Sequence, residues 1–350
     1  MNIYFKSYKI SLAIGFFFIG FSISALAQEE RTRLMHIGLI YPISSNGLNA
    51  AEFTNKLSLH AIGGVSKNET GVAISGVTTI IKENAKGVQI SGVANVIGDS
   101  ADGVQVAGFM NLIRHNAKGL PVAGFLNLSE SAGAAQVAGF SNITRESVKG
   151  VQVSGFLNKA KDVNTQISGF MNIAKNVKGV QIAGLINIAD SSDYTIALLN
   201  FVKNGEKSVG IIVDETATTI ASFRSGGRVL YGIVGVGYNF KSDNNSLYGF
   251  ETGLGAHILV AEKFRVNAEL ANLMLSDFKS GDYLKHTLRI LPAFKFADRL
   301  EVFAGPSINY VDYSKGKGED LTSHYLWKKK SEKDFKGLYL GFNVGVQYIF

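Results

Sequence analysis

Apolar and polar positions follow two different rules along this chain. From residue 71 to about residue 205 they recur in units of 14 to 16 residues, opening at Gly71, Gly87, Gly103, Gly119, Ala134, Gly150, Asn164, Gly179 and Asp193. A typical unit reads GVQIAGLINIA, and a short polar segment such as KNVK separates it from its neighbour. A second glycine recurs at Gly92, Gly108, Gly124, Gly139, Gly155, Gly169 and Gly184. An asparagine recurs at Asn95, Asn111, Asn127, Asn142, Asn158, Asn172 and Asn187. Nearly all charges fall in the polar segments, with Lys159 the exception. Self-similarity at a short fixed period predicts stacked or serial units rather than one irregular core.

Two all-β architectures produce such a pattern. In a β-solenoid each unit is one coil, like residues stack on like, Val and Ile fill a narrow core, and the asparagines form a ladder of amides. In an antiparallel meander each unit is a barrel strand of about ten residues, long enough to cross a bilayer when tilted. The polar segments favour the solenoid. They keep a small or apolar residue near their end, at Ala85, Ala101, Ala117, Ala132, Val148, Val163 and Val177. An exposed hairpin turn has no use for that residue, whereas a third side of a coil does. Pro121 argues the other way, because it removes one ladder donor.

Beyond about residue 225 the rule becomes strict alternation over long stretches, the signature of half-buried strands. Leu288, Ile290, Pro292, Phe294 and Phe296 share one face, and Lys285, Arg289 and Lys295 the other. The strands at 246–260, 264–270, 300–309 and 338–350 read the same way, and the chain ends on Phe350. A wholly apolar face rich in Phe and Tyr, with short and longer connections in alternation, predicts a transmembrane barrel of about eight strands over 206–350. Six strands are clear in 228–350. Two more come from 34–44 and 57–66, which would make residues 28–69 part of the barrel, or from 207–223. Glu251, Arg265, Glu269, Arg289, Lys295 and Glu301 are then charges filling the lumen.

The first residues add a destination. Lys6 and Lys9 precede an apolar run from Ile10 to Ile23 and then Ala25-Leu26-Ala27, so residues 1–27 read as a secretory signal peptide. No later stretch is apolar for the 18 residues a spanning helix requires. The formal net charge of +7 is scattered rather than clustered, which gives nucleic acid no footprint. Cysteine is absent, which removes disulfides and Cys-based sites.

Catalytic chemistry has no motif here. The six histidines, His36, His60, His115, His257, His286 and His324, show no metal-ligand spacing. GIVGVG at 232–237 mimics a dinucleotide fingerprint but sits inside a strand pattern with no helix after it. The expectation is a protein that is not an enzyme and holds no cofactor or metal. The segment 314–337, with its lysines, Tyr325 and Trp327, is a candidate contact for anionic lipopolysaccharide or a surface partner.

The phrases GVQVAGFMNL, GVQVSGFLN and GVQIAGLINIA resemble those of a bacterial surface-repeat family known from spirochaetes. DYTIALLNFVKNGE and FRSGGRVLYGIVGVGYNF resemble the region that closes the repeats in Bacteroidetes members. The likeness spans roughly residues 34–240. It implies an exported surface or outer-membrane protein and carries over no active site. The combined expectation is an outer-membrane barrel that anchors the repeats of 70–205 for binding or structural support. Its partners are outer-membrane lipid and, further, lipopolysaccharide, a glycan or another surface protein. The alternative is a porin-like channel in which the repeats are barrel strands too.

Overall fold

The computed structural model describes residues 31–242, 247–279, 281, 283–314, 316–332 and 334–350. The expected signal segment, 1–27, lies outside them. The chain is almost entirely β and forms two bodies, a parallel solenoid of about nine turns and a closed barrel of eight antiparallel strands.

Each solenoid coil contributes two strands that meet at the second glycine of the unit, as in Ala85–Ser91 and Ala94–Ile97. Like stacks on like: Gln89 pairs with Gln105, Val88 with Val104 and Asn95 with Asn111. The short third side carries the small residues of the polar segments, with Ala85, Ala101 and Ala117 in one parallel register. The repeats are therefore coils, not barrel strands. Residues of the 28–69 region also belong to the solenoid. Arg31–Ile40 pairs in parallel with Phe53–Ser66, which pairs in turn with Asn68–Ser75 and Thr78–Ile81.

The expected filling of the coils is inverted. Alternation in V-Q-I-S puts Gln and Ser on one face and the branched residues on the other, and it is the polar face that turns inward. Gln89, Gln105, Asn95 and Asn111 are fully buried, while Ile90 is 39 % exposed. The apolar core is confined to one corner, where the end of the second strand meets the third side. Volumes are exchanged there. Ile81, Ile97 and Ile113 face Ala85, Ala101 and Ala117, whereas Thr144, Ala160 and Ala174 face Val148, Val163 and Val177. Such compensation keeps the volume near constant in these coils, as close packing demands, whereas Ser129 with Ala132 and Ala189 with Ser192 pair small with small.

The barrel strands are Lys207–Asp214, Thr218–Gly226, Leu230–Asn239, Leu247–Val260, Phe264–Ser276, Tyr283–Ala297, Leu300–Ser314 and Asp334–Ile349. The first pairs with the last, Val209 with Tyr348 and Val213 with Val344, which closes the wall. The two strands that complete the eight thus come from the 207–223 stretch. Alternation sends Phe250, Leu254, Leu270, Leu288, Phe294, Ile308 and Phe342 to an exposed outer face. One end carries the short connections 227–229, 261–263 and 298–299, and the chain enters at that end from the solenoid.

The last coil is capped by the outer face of the second and third barrel strands near that short-turn end. Asn200 N–H donates to Ser225 Oγ at 2.9 Å and Asn200 Nδ2 to the Ser225 carbonyl at 3.1 Å. A Cβ on Gly232 would lie 2.1 Å from the Ala197 carbonyl oxygen, so glycine is what admits the coil against the wall.

Candidate functional site

Stacking at β-sheet spacing places every repeated side chain directly over its copy. The corner glycines make this possible through close approach. A Cβ on Gly92, Gly108 or Gly124 would sit 2.0–2.1 Å from the carbonyl oxygen of the glycine one coil earlier. The same holds through Gly139, Gly155, Gly169 and Gly184 at 2.1–2.2 Å.

Inside, Asn95, Asn111, Asn127, Asn142, Asn158, Asn172 and Asn187 form one unbroken ladder. Each Nδ2 donates to Oδ1 of the next asparagine at 2.8–3.1 Å, ending on Asn200. The second proton of each goes to a backbone carbonyl of the next coil at 2.6–3.1 Å. A glutamine ladder runs beside it with opposite polarity. Gln105 donates back to Gln89, Gln152 to Gln136, Gln166 to Gln152 and Gln181 to Gln166, at 2.8–3.0 Å. The two rows of amide dipoles therefore oppose one another along the stack. Buried amides are tolerated because nearly every proton is used.

Pro121 takes a glutamine slot and breaks the second ladder, although its segment stays paired on both sides. Gln105 Oε1 is left buried without a partner. Below the break the sequence compensates. Where the earlier coils have Ile97 and Ile113 this one has Ser129, and Gln136 Nε2 donates to its hydroxyl at 3.0 Å. Thr144 then donates to Gln136 Oε1 at 2.9 Å.

In the barrel the alternation brings charges from distant strands together. Arg224 Nε and Tyr231 OH both donate to Glu269 Oε1 at 2.8 Å, and Arg289 bridges Glu269 at 2.6 Å and Glu251 at 2.8 Å. Toward the short-turn end Arg265 pairs with Glu301 at 2.9 Å and Glu206 at 2.8 Å. Toward the other end Lys285 pairs with Asp214 and reaches Glu215 at 3.7 Å. Of the six expected lumen charges, five are buried in these pairs; Lys295, half-buried, lies opposite Glu301 in the register. Tyr283, Tyr313, Phe335 and Tyr339 pack the loop end. A void beside Arg224, Tyr231 and Arg265 measures about 10 Å³, room for about one water.

Other predicted positions separate. His257 faces inward and bonds Asn267 at 2.7 Å, whereas His286 lies on the exposed outer face, so the two share no site. Gly235 and Gly237 of the GIVGVG stretch thin the wall against Ile220 and Thr219. Tyr325 packs on Phe335 and Tyr339, while Trp327 is exposed beside Lys328 and Lys329.

One cluster had no signal in the sequence. In the first coils His36, His60 and Glu69 are buried together. The rings of His36 and His60 meet edge to face at 4.4 Å. Ser58 donates to Glu69 at 2.7 Å and Asn55 donates to it at 3.3 Å. Burial pushes the Glu69 carboxyl up to about 7, against the pull of these donors. Burial, then the neighbouring His60, lowers His36 to about 4, and burial lowers His60 as well. Three residues spread over positions 36 to 69 with no motif spacing become neighbours only because coils stack. Among the described residues no group of three or more His, Asp or Glu side chains is arranged to hold a metal ion.

No family model, curated protein or solved structure matches this chain.

Proposed function

We propose that this is a non-enzymatic outer-membrane protein in which the barrel is the anchor and the solenoid is held for binding or structural support. The observation that carries the reading is the closed wall of eight strands with an apolar outer face and an interior filled by ion pairs. A spanning sheet must close so that no edge is left unpaired in hydrocarbon, and it must be apolar outside. A lumen filled this way has no aqueous path, so the barrel holds its place and does not conduct. The signal-like residues 1–27 and the likeness of the repeats to those of bacterial surface proteins point to the same membrane.

The channel alternative required the repeats to be antiparallel barrel strands. They pair in parallel, coil on coil, and so cannot extend the wall. The test is fractionation followed by conductance. The protein should remain with outer membranes after carbonate washing, need detergent for release, and show no stable open step in a planar bilayer. A protein that stays soluble and monomeric without detergent would overturn the anchor. A steady conductance step would overturn the plug.

A further inference from the structure

The outside of the solenoid is organised as sharply as its inside. Two of its sides expose Val, Ile, Leu and Met in most coils, with Lys159 the charged exception between Ile143 and Ile173. At the glycine corner between them Phe109, Phe125, Phe140, Phe156 and Phe170 stack in sequence, with ring centroids 4.6–4.8 Å apart. Phe109 is 48 % exposed and Phe140 39 %. A continuous apolar surface of this extent marks a contact with something apolar.

The third side says what that contact is. Where each apolar side ends, cations recur in several of the coils. Lys82, Arg114, Arg145, Lys161 and Lys175 border one side, and Lys86, Lys118, Lys149 and Lys178 border the other. Glu83, Asp99, Glu146 and Asp162 stand between the rows, farthest from the phenylalanine corner; Asp102, Glu130, Asp190 and Asp193 are the exceptions. Apolar wedge, basic borders and acidic crest form the sequence of layers that a lipid leaflet presents in reverse: acyl chains, phosphates, water. The order recurs in the coils of Lys82, Arg114, Arg145, Lys161 and Lys175 and is interrupted where Gly98, Glu130 and Asp190 take the same slot.

The junction with the barrel fixes the orientation. Gly184 and Leu198 at the apolar corner face Leu254 and Leu270 on the barrel's outer wall across a groove of about 390 Å³. The charged side lies at the rim instead, where Asp193 pairs with Arg228 of the turn at 2.7 Å. The apolar corner of the solenoid thus meets the leucines of the barrel's outer wall, in a groove that Thr252, Asn272 and His286 also line. The junction lies at the short-turn end, which in bacterial barrels faces the periplasm.

We infer that the solenoid lies in the plane of the same bilayer that holds the barrel, with its phenylalanine edge in the acyl chains of the glycerophospholipid leaflet at the short-turn end. Its two basic rows sit at the lipid phosphates and its acidic crest in water. This rests on the membrane reading of the barrel above.

Full-length protein carrying Trp327→Phe provides a dark background for single tryptophans. Phe140→Trp, with Phe156→Trp as a second probe, reports the corner. Asp99→Trp reports the crest and Leu288→Trp the barrel wall. Each is reconstituted into vesicles of phosphatidylethanolamine and phosphatidylglycerol, with and without acyl-brominated lipid. The expected result is strong bromine quenching at 140, 156 and 288 and none at 99. Replacing Arg114, Arg145, Lys161 and Lys175 with Gln should weaken quenching at 140 by about twofold and leave 288 unchanged. If 288 is quenched while 140 and 156 are open to aqueous acrylamide, the inference fails and the barrel reading stands. If 140 and 156 are shielded from both quenchers and chemical cross-linking yields dimers, a second copy covers the corner and the inference also fails. If 288 is not quenched, the membrane reading itself falls and takes this with it.

Discussion

Solenoid and barrel both turn apolar side chains outward and polar ones inward, yet they satisfy their interiors in opposite ways. The solenoid uses neutral amides, each bonded to its own kind one coil away, so a partner is always about 15 residues off in sequence. The barrel uses full charges brought together from strands tens of residues apart, as in Arg224 with Glu269. A ladder spreads a defect over many equivalent links. An ion-pair cluster concentrates it on one. The difference predicts unequal sensitivity to comparable deletions.

The largest effect should come from Glu269→Leu. The carboxylate is fully buried and accepts from Arg224, Tyr231 and Arg289. Its loss leaves the buried Arg224 guanidinium without a carboxylate and Arg289 with Glu251 alone, and removing one partner of a buried pair costs about 3–5 kcal/mol. Urea unfolding of the detergent-solubilised protein, followed by the loss of heat-modifiable mobility, measures this. A change under about 1 kcal/mol would mean that water already reaches the lumen.

The first coils offer a pH effect of nearly the same size. A carboxyl raised to about 7 in the folded chain weakens folding as pH climbs from about 4.5 to about 7, because the unfolded chain ionises first. A histidine lowered to about 4 weakens folding as pH falls from 6.5 to about 4, because the unfolded chain takes the proton first. Between pH 4.5 and 6.5 the carboxyl opposes the two histidines, so the natural cap should change less with pH than either variant below. Glu69→Gln should unmask the histidines and make the cap more stable as pH rises. His36→Gln together with His60→Gln should unmask Glu69 and reverse the slope. Each swing should approach ~3 kcal/mol, read from amide hydrogen exchange over residues 53–81. Parallel slopes in the two variants would refute the pairing.

These two sites differ in how far the sequence announced them. The barrel charges were legible because strict alternation divides each strand into two faces, and only one face carried Glu251, Glu269 and Arg289. The solenoid was legible as a stack because the small residues Ala85, Ala101 and Val148 recur inside polar segments. Which face turned inward was not legible. Period-2 alternation is symmetric between faces, and the usual rule sends Val and Ile to the core. The rule gives way here because a coil has room for only a few side chains, and amides can saturate one another while branched aliphatics would leave the amides bare to whatever lies outside. His36, His60 and Glu69 were not legible because their meeting depends on coil geometry alone.

A single rung of the asparagine ladder should cost less than a lumen charge. Asn142→Ala removes the acceptor of Asn127 and the donor to Asn158, each of which keeps a backbone partner or another bond. The expected loss is roughly 1–3 kcal/mol by urea unfolding. The loss should be shared, so that Asn111→Ala and Asn172→Ala fall within about 0.5 kcal/mol of it. A rung that stands out by several kcal/mol would show that the ladder is not a sum of like links.

The smallest effect carries the most information because its sign can flip. Pro121 interrupts the glutamine row, and Ser129 stands in as acceptor for Gln136 at 3.0 Å. In the natural chain Ser129→Ile should destabilise by about 1–2 kcal/mol, since it orphans a buried amide proton. Pro121→Gln offers a new amide to the unpartnered Gln105 Oε1 and to Gln136 Nε2, and it restores a backbone donor. Those gains are offset by the greater freedom of an unfolded chain without proline, about 0.4–1 kcal/mol, so the net change should be small and stabilising. With the row restored, Ser129 is no longer required, and Ile there matches Ile97 and Ile113 in the two preceding coils. Ser129→Ile should then turn neutral or favourable in the Pro121→Gln background. The double-mutant cycle reads the coupling directly. Additivity within about 0.3 kcal/mol would mean that Ser129 does not replace the missing rung, and that the break at Pro121 is filled in some other way.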